Sequence, residues 1–229
     1  MREVVSGRWR VGEPMDALLQ RFLLDVRGRS RHAHLATYED LALGLDTYLG
    51  LRRGAAARLP ARELRAFLGH WYLRRLGPQD VRRTRLFCAA ARVFVAWLTQ
   101  DASPRRRRGF RRETKSIARA VIRAARASEL LEQLQPARRT TRPAAQVDDY
   151  CEIVARGGSH LVLRPLSSRA LLGPVAVPQE LAASLDPGAF VNLRLGQNEG
   201  RWRILDYGLC YPPAARTALQ AACAVAARP

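Results

Sequence analysis

Hydrophobic residues recur with the α-helical period through the first 135 residues of the chain. In the segment from Asp16 to Val26, for example, apolar side chains stand at positions 18, 19, 22, 23 and 26, which is the stripe of an amphipathic helix. In the fourth such segment the same period places Leu86, Ala90 and Phe94 inward. The pattern predicts five helices, at about 16–26, 35–51 (with Thr37 as its cap), 60–76, 79–99 and 113–135.

The period changes to two after about residue 145. Short alternating segments, bounded by Gly and Pro, predict five strands at about 150–155, 160–164, 171–177, 190–195 and 202–205. A short helix is expected at 179–185, and an Ala-rich helix at 212–227. Five short strands within about 60 residues are typical of a small barrel, SH3-like or OB-like. The predicted fold class is therefore α+β, with a helical half, a small five-stranded barrel and a C-terminal helix.

The segment QPARRTTRPAA, residues 135–145, separates the two patterns. Its prolines, threonines and small side chains are typical of a linker. We therefore predict a helical, basic domain at 1–135, a linker at 136–146, and a barrel-like domain with its C-terminal helix at 147–229. The two domains are expected to be separable by limited proteolysis in the linker.

Charge is distributed unevenly along the chain. The 229 residues include 39 Lys+Arg and 20 Asp+Glu, a net charge of +19. Residues 51–145 carry 24 basic and 6 acidic residues, whereas the segments on either side are close to neutral. A coding bias toward arginine would act on the whole chain, so the central block favours a polyanionic partner, and nucleic acid first.

The fifth predicted helix divides basic from apolar residues. Ile117 and Val121 lie on one side, and the opposite side carries basic residues at spacings i, i+3, i+7, i+11 and i+14. A helix that only meets solvent usually interleaves glutamates at i+4, and this stripe has none. The division indicates a helix that packs on protein and faces phosphate; a solvated face is the alternative. The basic stripe is Arg112, Lys115, Arg119, Arg123 and Arg126.

Residues 16–100 resemble the core-binding, SAM-like domain of tyrosine recombinases of the phage-integrase type. The segments that carry the resemblance are Leu18–Val26, Thr37–Leu41 continuing to Tyr48-Leu49, the aromatic pair in Phe67–Tyr72, and Ala90–Leu98. The resemblance implies a domain that grips one side of a DNA duplex with its fourth helix at the DNA. It also implies a separate catalytic domain, which this chain does not show.

No catalytic constellation, metal site or cofactor motif is found. The sequence contains no His-x-x-Arg, so Tyr150, Tyr207 and Tyr211 lack the arginine-histidine setting of a recombinase nucleophile. Phosphate-binding loops, nucleophile elbows and zinc-protease motifs are also missing. The four cysteines are widely scattered, which favours reduced core residues over disulfides or zinc ligands. We expect a protein that is not an enzyme and uses no cofactor.

The predicted function is non-catalytic binding of nucleic acid, with duplex DNA favoured, in a recombination, integration or nucleoid-type role. An RNA- or ribosome-associated protein and a module that binds an acidic protein are the alternatives, and the barrel could contact a protein partner. No apolar run is long enough for a membrane span, and a cytoplasmic or nucleoid location is expected. The predicted phosphate-binding residues are Arg82, Arg83, Arg85, Arg105, Arg106, Arg107, Arg108, Arg111, Arg112, Lys115, Arg119 and Arg123.

Overall fold

A computed structural model describes residues 14–28, 34–50, 61–75, 80–134, 143–168 and 170–226. Helices occupy the N-terminal half, a closed barrel of five strands follows, and a helix ends the described chain. The predicted α+β class is therefore confirmed. The helices are α1 (Met15–Arg27), α2 (Leu35–Gly50), α3 (Ala61–Ala66), a π-helical turn (Phe67–Trp71), α4 (Tyr72–Arg75), α5 (Val81–Leu98), α6 (Pro104–Glu132), α7 (Gln179–Ser184) and α8 (Arg216–Ala226), with a 3₁₀ turn (Pro213–Ala215) before α8.

One predicted helix start and one predicted helix cap are wrong. Helix α6 begins at Pro104, nine residues before the predicted start, so the run of four arginines lies inside the helix and not ahead of it. Proline at the first helical position has a suitable φ and needs no hydrogen-bond partner for its nitrogen. Thr37 lies inside α2, which begins at Leu35, and so is not its cap.

The core of the helical half is built around aromatic side chains from α1 and α5. Phe22 meets Phe94 edge to face with ring centroids 5.0 Å apart, and it meets Trp97 at 5.4 Å. The Trp97 indole donates to the Asp25 carboxylate at 2.7 Å, which satisfies its N–H. The predicted inward position of Leu86 is wrong, because that side chain is 41% exposed.

The barrel closes in the order β1-β2-β3-β5-β4, with β4 returning to pair with β1. Strands β3 and β5 pair in parallel, and helix α7 lies between β3 and β4 in the chain. An SH3-like meander would pair β3 with β4, so the connectivity is that of the OB-like alternative. The strands are β1 (Ala145–Arg156), β2 (His160–Pro165), β3 (Leu172–Ala176), β4 (Phe190–Asn198) and β5 (Arg201–Tyr211).

The helical half packs directly on the barrel. The backbone N–H of Cys210 in β5 donates to the Ser128 hydroxyl of α6 at 3.0 Å, in a buried position. Gly69 of the π-helical turn lies so close to the 3₁₀ turn that an added Cβ would be 3.2 Å from the Ala214 Cβ. Buried residues of both halves form one hydrophobic cluster. Most of the predicted linker lies outside the described residues, and separable domains stay a prediction.

Replacing Ser128 with alanine is expected to lower the free energy of unfolding by about 1–3 kcal/mol. The substitution leaves the Cys210 N–H buried without an acceptor, and an unsatisfied buried donor loses its hydration without compensation. Ser116 is an exposed serine on the same helix, so Ser116→Ala is the matched control. Urea unfolding of both variants measures the difference. Equal stabilities would show that the bond contributes nothing to holding the halves together.

His70 lies where the π-helical turn meets β5. Its ring stacks on Tyr211 at 5.7 Å between centroids, and its Nε2 is buried without a hydrogen-bond partner among the described residues. Burial lowers the pKa of His70 below its ordinary value of 6.5, and the Arg74 guanidinium lowers it further. The histidine is therefore held neutral in the folded protein.

The lowered pKa of His70 predicts that acid weakens the junction. The unfolded chain binds a proton at His70 more readily than the folded chain. The contribution of neutral His70 to the free energy of unfolding is therefore fully present above pH 6.5 and is lost as pH falls through the lowered pKa. Wild type should lose more free energy of unfolding between about pH 7 and pH 5 than His70→Phe, which keeps a ring against Tyr211 but cannot titrate. Parallel pH profiles for the two proteins would contradict this assignment.

Candidate nucleic-acid interface

Helices α5 and α6 form an antiparallel hairpin. Asp80 caps the start of α5, where its carboxylate accepts from the backbone N–H of Arg82 and, at 3.0 Å, from that of Arg83. A five-residue connection, 99–103, reverses the chain. The Glu129 carboxylate near the end of α6 accepts from the Val81 N–H at 2.6 Å, which places that end beside the start of α5.

One face of α5 presents three arginines to solvent. Arg82, Arg85 and Arg92 are exposed and stand three and seven residues apart, so they share a side of the helix. The opposite side is buried and includes Phe87 and Phe94. Arg92 is absent from the predicted site. Its spacing from Arg85 is the signal that could have found it.

The exposed face of α6 also carries basic side chains. Apart from the adjacent pair Arg111 and Arg112, its basic residues recur three or four positions apart, so they line one side over the first four turns of the helix. Thr114, Ile117 and Val121 are buried on the other side. The exposed basic residues are Arg105, Arg108, Arg111, Arg112, Lys115 and Arg119.

A groove of about 520 Å³ joins the two faces. Ala89, Val93 and Ala96 supply small apolar side chains from α5. Arg92 lines it from α5, and Arg111 and Lys115 line it from α6, so cations of both helices meet there. We call the combined surface the basic face, and define it as Arg82, Arg85, Arg92, Arg105, Arg108, Arg111, Arg112, Lys115 and Arg119.

Within the described part of the chain, none of these nine side chains forms an ion pair with a carboxylate. Two acidic residues of α6 are engaged elsewhere: Glu113 pairs with Arg65 at 2.8 Å, and Glu129 pairs with Arg126 at 3.2 Å. The positive charge of the basic face is therefore not compensated by ion pairs within the described residues, and an external anion can compensate it.

The first turn of α6 adds to this potential. Arg105 and Arg108 stand at the positive end of the helix dipole, and the turn contains no acidic residue. Cations at a helix N-terminus are unfavourable by roughly 0.3–1 kcal/mol each at low salt. A phosphate group beside this turn would relieve that repulsion and also face the dipole.

Four predicted site residues are not part of the basic face. Arg83 points toward α2 and pairs with Asp40 at 3.4 Å. Arg106 and Arg107 are half-buried, and the Arg107 guanidinium donates to the Ala102 carbonyl at 3.4 Å. Arg123 pairs with Asp186 of the barrel half, although it belongs to the predicted stripe. The predicted residues therefore do not form one continuous surface.

Aromatic side chains are kept away from solvent. In the described ranges every Phe, Tyr and Trp is buried or half-buried. Single-stranded nucleic acids are usually held by bases that stack on exposed aromatic rings. No aromatic ring from the described residues lines the groove of the basic face, so this face offers contacts to phosphate and not to bases.

The structure provides a histidine and an arginine near one of the three tyrosines considered above. His70 stacks on Tyr211, and Arg74 lies close enough to lower the pKa of both groups. Tyr211 is only 2% exposed, and burial raises its pKa far above the ordinary value of 10.0. Its hydroxyl is therefore closed to a phosphodiester and protonated at neutral pH.

Three of the four cysteines are core residues, and Cys223 is half-buried in α8. Cys88, Cys151 and Cys210 are buried free thiols, and burial raises the pKa of each to about 12. Among the described residues, no three His, Cys, Asp or Glu side chains cluster in a way that could hold a metal ion. The described helices include none long and apolar enough to span a membrane.

Comparison of the chain with known proteins identifies no relative. No protein-family model, no curated protein and no solved structure matches the chain.

Proposed function

We propose that this protein binds nucleic acid, with duplex DNA favoured, by placing the phosphate backbone along the basic face. The observation that carries the proposal is the set of nine exposed basic side chains on one side of the α5–α6 hairpin, none paired with a carboxylate in the described residues. Phosphate contacts position a protein on nucleic acid but read little sequence. Binding is therefore strong at low salt and weakly specific.

The dimensions of the basic face favour a duplex. From Arg105 to Arg119 the α6 axis rises about 21 Å. A duplex carries one phosphate charge per roughly 1.7 Å of its axis, so this length meets about twelve charges, of which one side is accessible. Among the described residues no aromatic ring is exposed on the basic face, which removes the main attraction of that face for single strands. The resemblance to core-binding domains leads us to propose an accessory role in DNA recombination, integration or nucleoid organisation.

A second candidate function is binding of an acidic protein segment. The observation that favours it is the apolar side of the α5 surface, where Val93 is 40% exposed and Leu86 is 41% exposed. An amphipathic acidic helix could place apolar side chains there and carboxylates on the surrounding cations. Duplex DNA bound through its phosphates does not contact these two apolar side chains, whereas an acidic helix would bury them. Substitution of Leu86 and Val93 therefore distinguishes the two candidates.

Fluorescence anisotropy with labelled duplex DNA, single-stranded DNA, structured RNA and an acidic polypeptide separates the candidates. The proposal predicts the tightest binding to duplex DNA and no effect of Leu86→Ser and Val93→Ser on that binding. Tighter binding of the polypeptide, weakened by those two substitutions, would transfer the function to an acidic protein partner. Tighter binding of structured RNA would replace DNA as the ligand.

A further inference from the structure

A second cavity, of about 480 Å³, lies on the α2 side of α5, away from the groove of the basic face. It is bounded by α2, the π-helical turn, α4 and α5, and it opens to solvent. Its volume is within the range of small-molecule sites. The lining residues that matter here are Thr37, Asp40, Thr47, Trp71, Arg75 and Arg83.

The aromatic side of this cavity is held by stacked rings. Trp71 stacks on Phe67 with ring centroids 5.4 Å apart and planes at 24°, and Phe67 is fully buried. Gly44 of α2 lines the cavity, and an added Cβ there would be 3.4 Å from both rings. The Trp71 ring is therefore fixed before any ligand enters, which reduces the entropy lost on binding.

The polar side of the cavity offers donors, acceptors and a free cation. Asp40, whose carboxylate also pairs with Arg83 at 3.4 Å, lines the cavity, together with Thr37 and Thr47. Arg75 is exposed, lines the cavity and forms no ion pair in the described chain.

We infer that this cavity receives one unstacked nucleotide of a nucleic acid bound on the basic face. A nucleobase is flat, so it fits beside an indole, and its edge carries both donors and acceptors, which suit the carboxylate and the hydroxyls. Arg75 supplies the cation for the attached phosphate. A ligand with an anionic group and an apolar body would fit less well than a nucleotide, because its apolar part would face the Asp40 carboxylate.

The position of the cavity connects it to the basic face, and the inference rests on the proposed function in this respect. Arg82 belongs to the basic face, and its neighbour Arg83 lines the cavity. A strand that contacts Arg82 with one phosphate therefore passes the mouth of the cavity. The cavity should increase affinity most for duplexes that already contain an unpaired nucleotide, because fully paired DNA must first unstack a base.

The test compares two duplexes that differ only at one unpaired position, which holds either a nucleotide with its base or an abasic residue. Wild type is expected to bind the first about tenfold more tightly, the effect of one base–aromatic contact. Trp71→Ala should bring the ratio close to one, because it removes the ring that contacts the base. Arg75→Ala should lower the ratio, because the attached phosphate reaches Arg75 only when the base enters the cavity. Arg74→Ala is the matched control: it removes an exposed arginine next to Arg75 that does not line the cavity, and it should keep the preference.

The outcomes separate this inference from the proposed function. Equal wild-type affinities for the two duplexes, both sensitive to salt, would overturn the nucleotide cavity and leave the basic face in place. A preference that is unchanged in both Arg75→Ala and Trp71→Ala would place the base elsewhere and overturn the inference. Failure to bind either duplex at low salt would overturn both proposals. Circular dichroism of each variant verifies that it folds.

Discussion

Replacing Arg108, Arg111, Lys115 and Arg119 together with alanine is expected to weaken duplex DNA binding by about a thousandfold near 0.1 M salt. All four side chains are exposed on α6. If each neutralises one phosphate, the slope of log K against log salt changes by about 0.9 for each side chain replaced. Alanine is the strongest helix former, so α6 should be retained. Anisotropy titrations of both proteins measure the change in affinity and in slope.

A matched pair of double variants tests whether position or total charge causes that weakening. Arg105→Ala/Arg108→Ala and Arg106→Ala/Arg107→Ala remove the same charge from the same turn of α6. Only the first pair belongs to the basic face, whereas the second pair is half-buried. The first variant should flatten the salt slope by about two units and the second by little. Equal flattening would mean that the run acts as a diffuse charge and that the face has no geometric role.

Replacing Phe94 with alanine is expected to lower the free energy of unfolding by about 3–5 kcal/mol. Phe94 is 1% exposed, and its ring meets Phe22 at 5.0 Å. Truncation removes the buried ring and leaves a cavity that the surrounding helices fill only in part. Phe94 also lies behind the face of α5 that carries Arg92, so removal of this packing would loosen the basic face.

Val93→Ala is the control for Phe94→Ala, since Val93 is the preceding residue of the same helix and is 40% exposed. Its replacement should change the free energy of unfolding by no more than about 0.5 kcal/mol. Thermal and urea unfolding of the two variants give the comparison. A small effect of Phe94→Ala, close to that of Val93→Ala, would contradict the placement of α5 in the core.

The fold class could be predicted because the hydrophobic period differs so clearly between the two halves. The 3.6-residue period ends near residue 135, close to the end of α6, and the two-residue period starts near residue 145, where β1 begins. The choice between an SH3-like and an OB-like barrel depends on which strands pair. The parallel β3–β5 contact, with Val175 opposite Trp202, joins residues far apart in the chain, and no local pattern reveals it.

The start of α6 could not be read from local charge. Consecutive arginines repel one another and are usual in linkers, so the run suggested a segment ahead of the helix. In the structure Phe110 packs against the core and Thr114 is buried, and these tertiary contacts hold the first turns helical despite the repulsion. Packing of an apolar face commonly outweighs such local preferences.

The candidate site could be predicted in its chemistry but only in part in its membership. Helical spacing correctly groups Arg112, Lys115 and Arg119. It also groups Arg123 with them, because spacing along one helix cannot show that Asp186 of the barrel half lies beside that residue. The missed Arg92 could have been grouped with Arg85 by its spacing of seven residues, but its place in the groove between α5 and α6 is not visible from one helix.

The salt dependence of duplex DNA binding by the wild-type protein tests the proposed basic face most directly. If about six phosphates are neutralised, log K should fall against log salt with a slope of roughly −5. The same slope should be found for duplexes of unrelated sequence, because phosphate contacts carry little sequence information. A slope near zero, or an affinity that stays weaker than millimolar at low salt, would contradict a phosphate-binding role for the basic face.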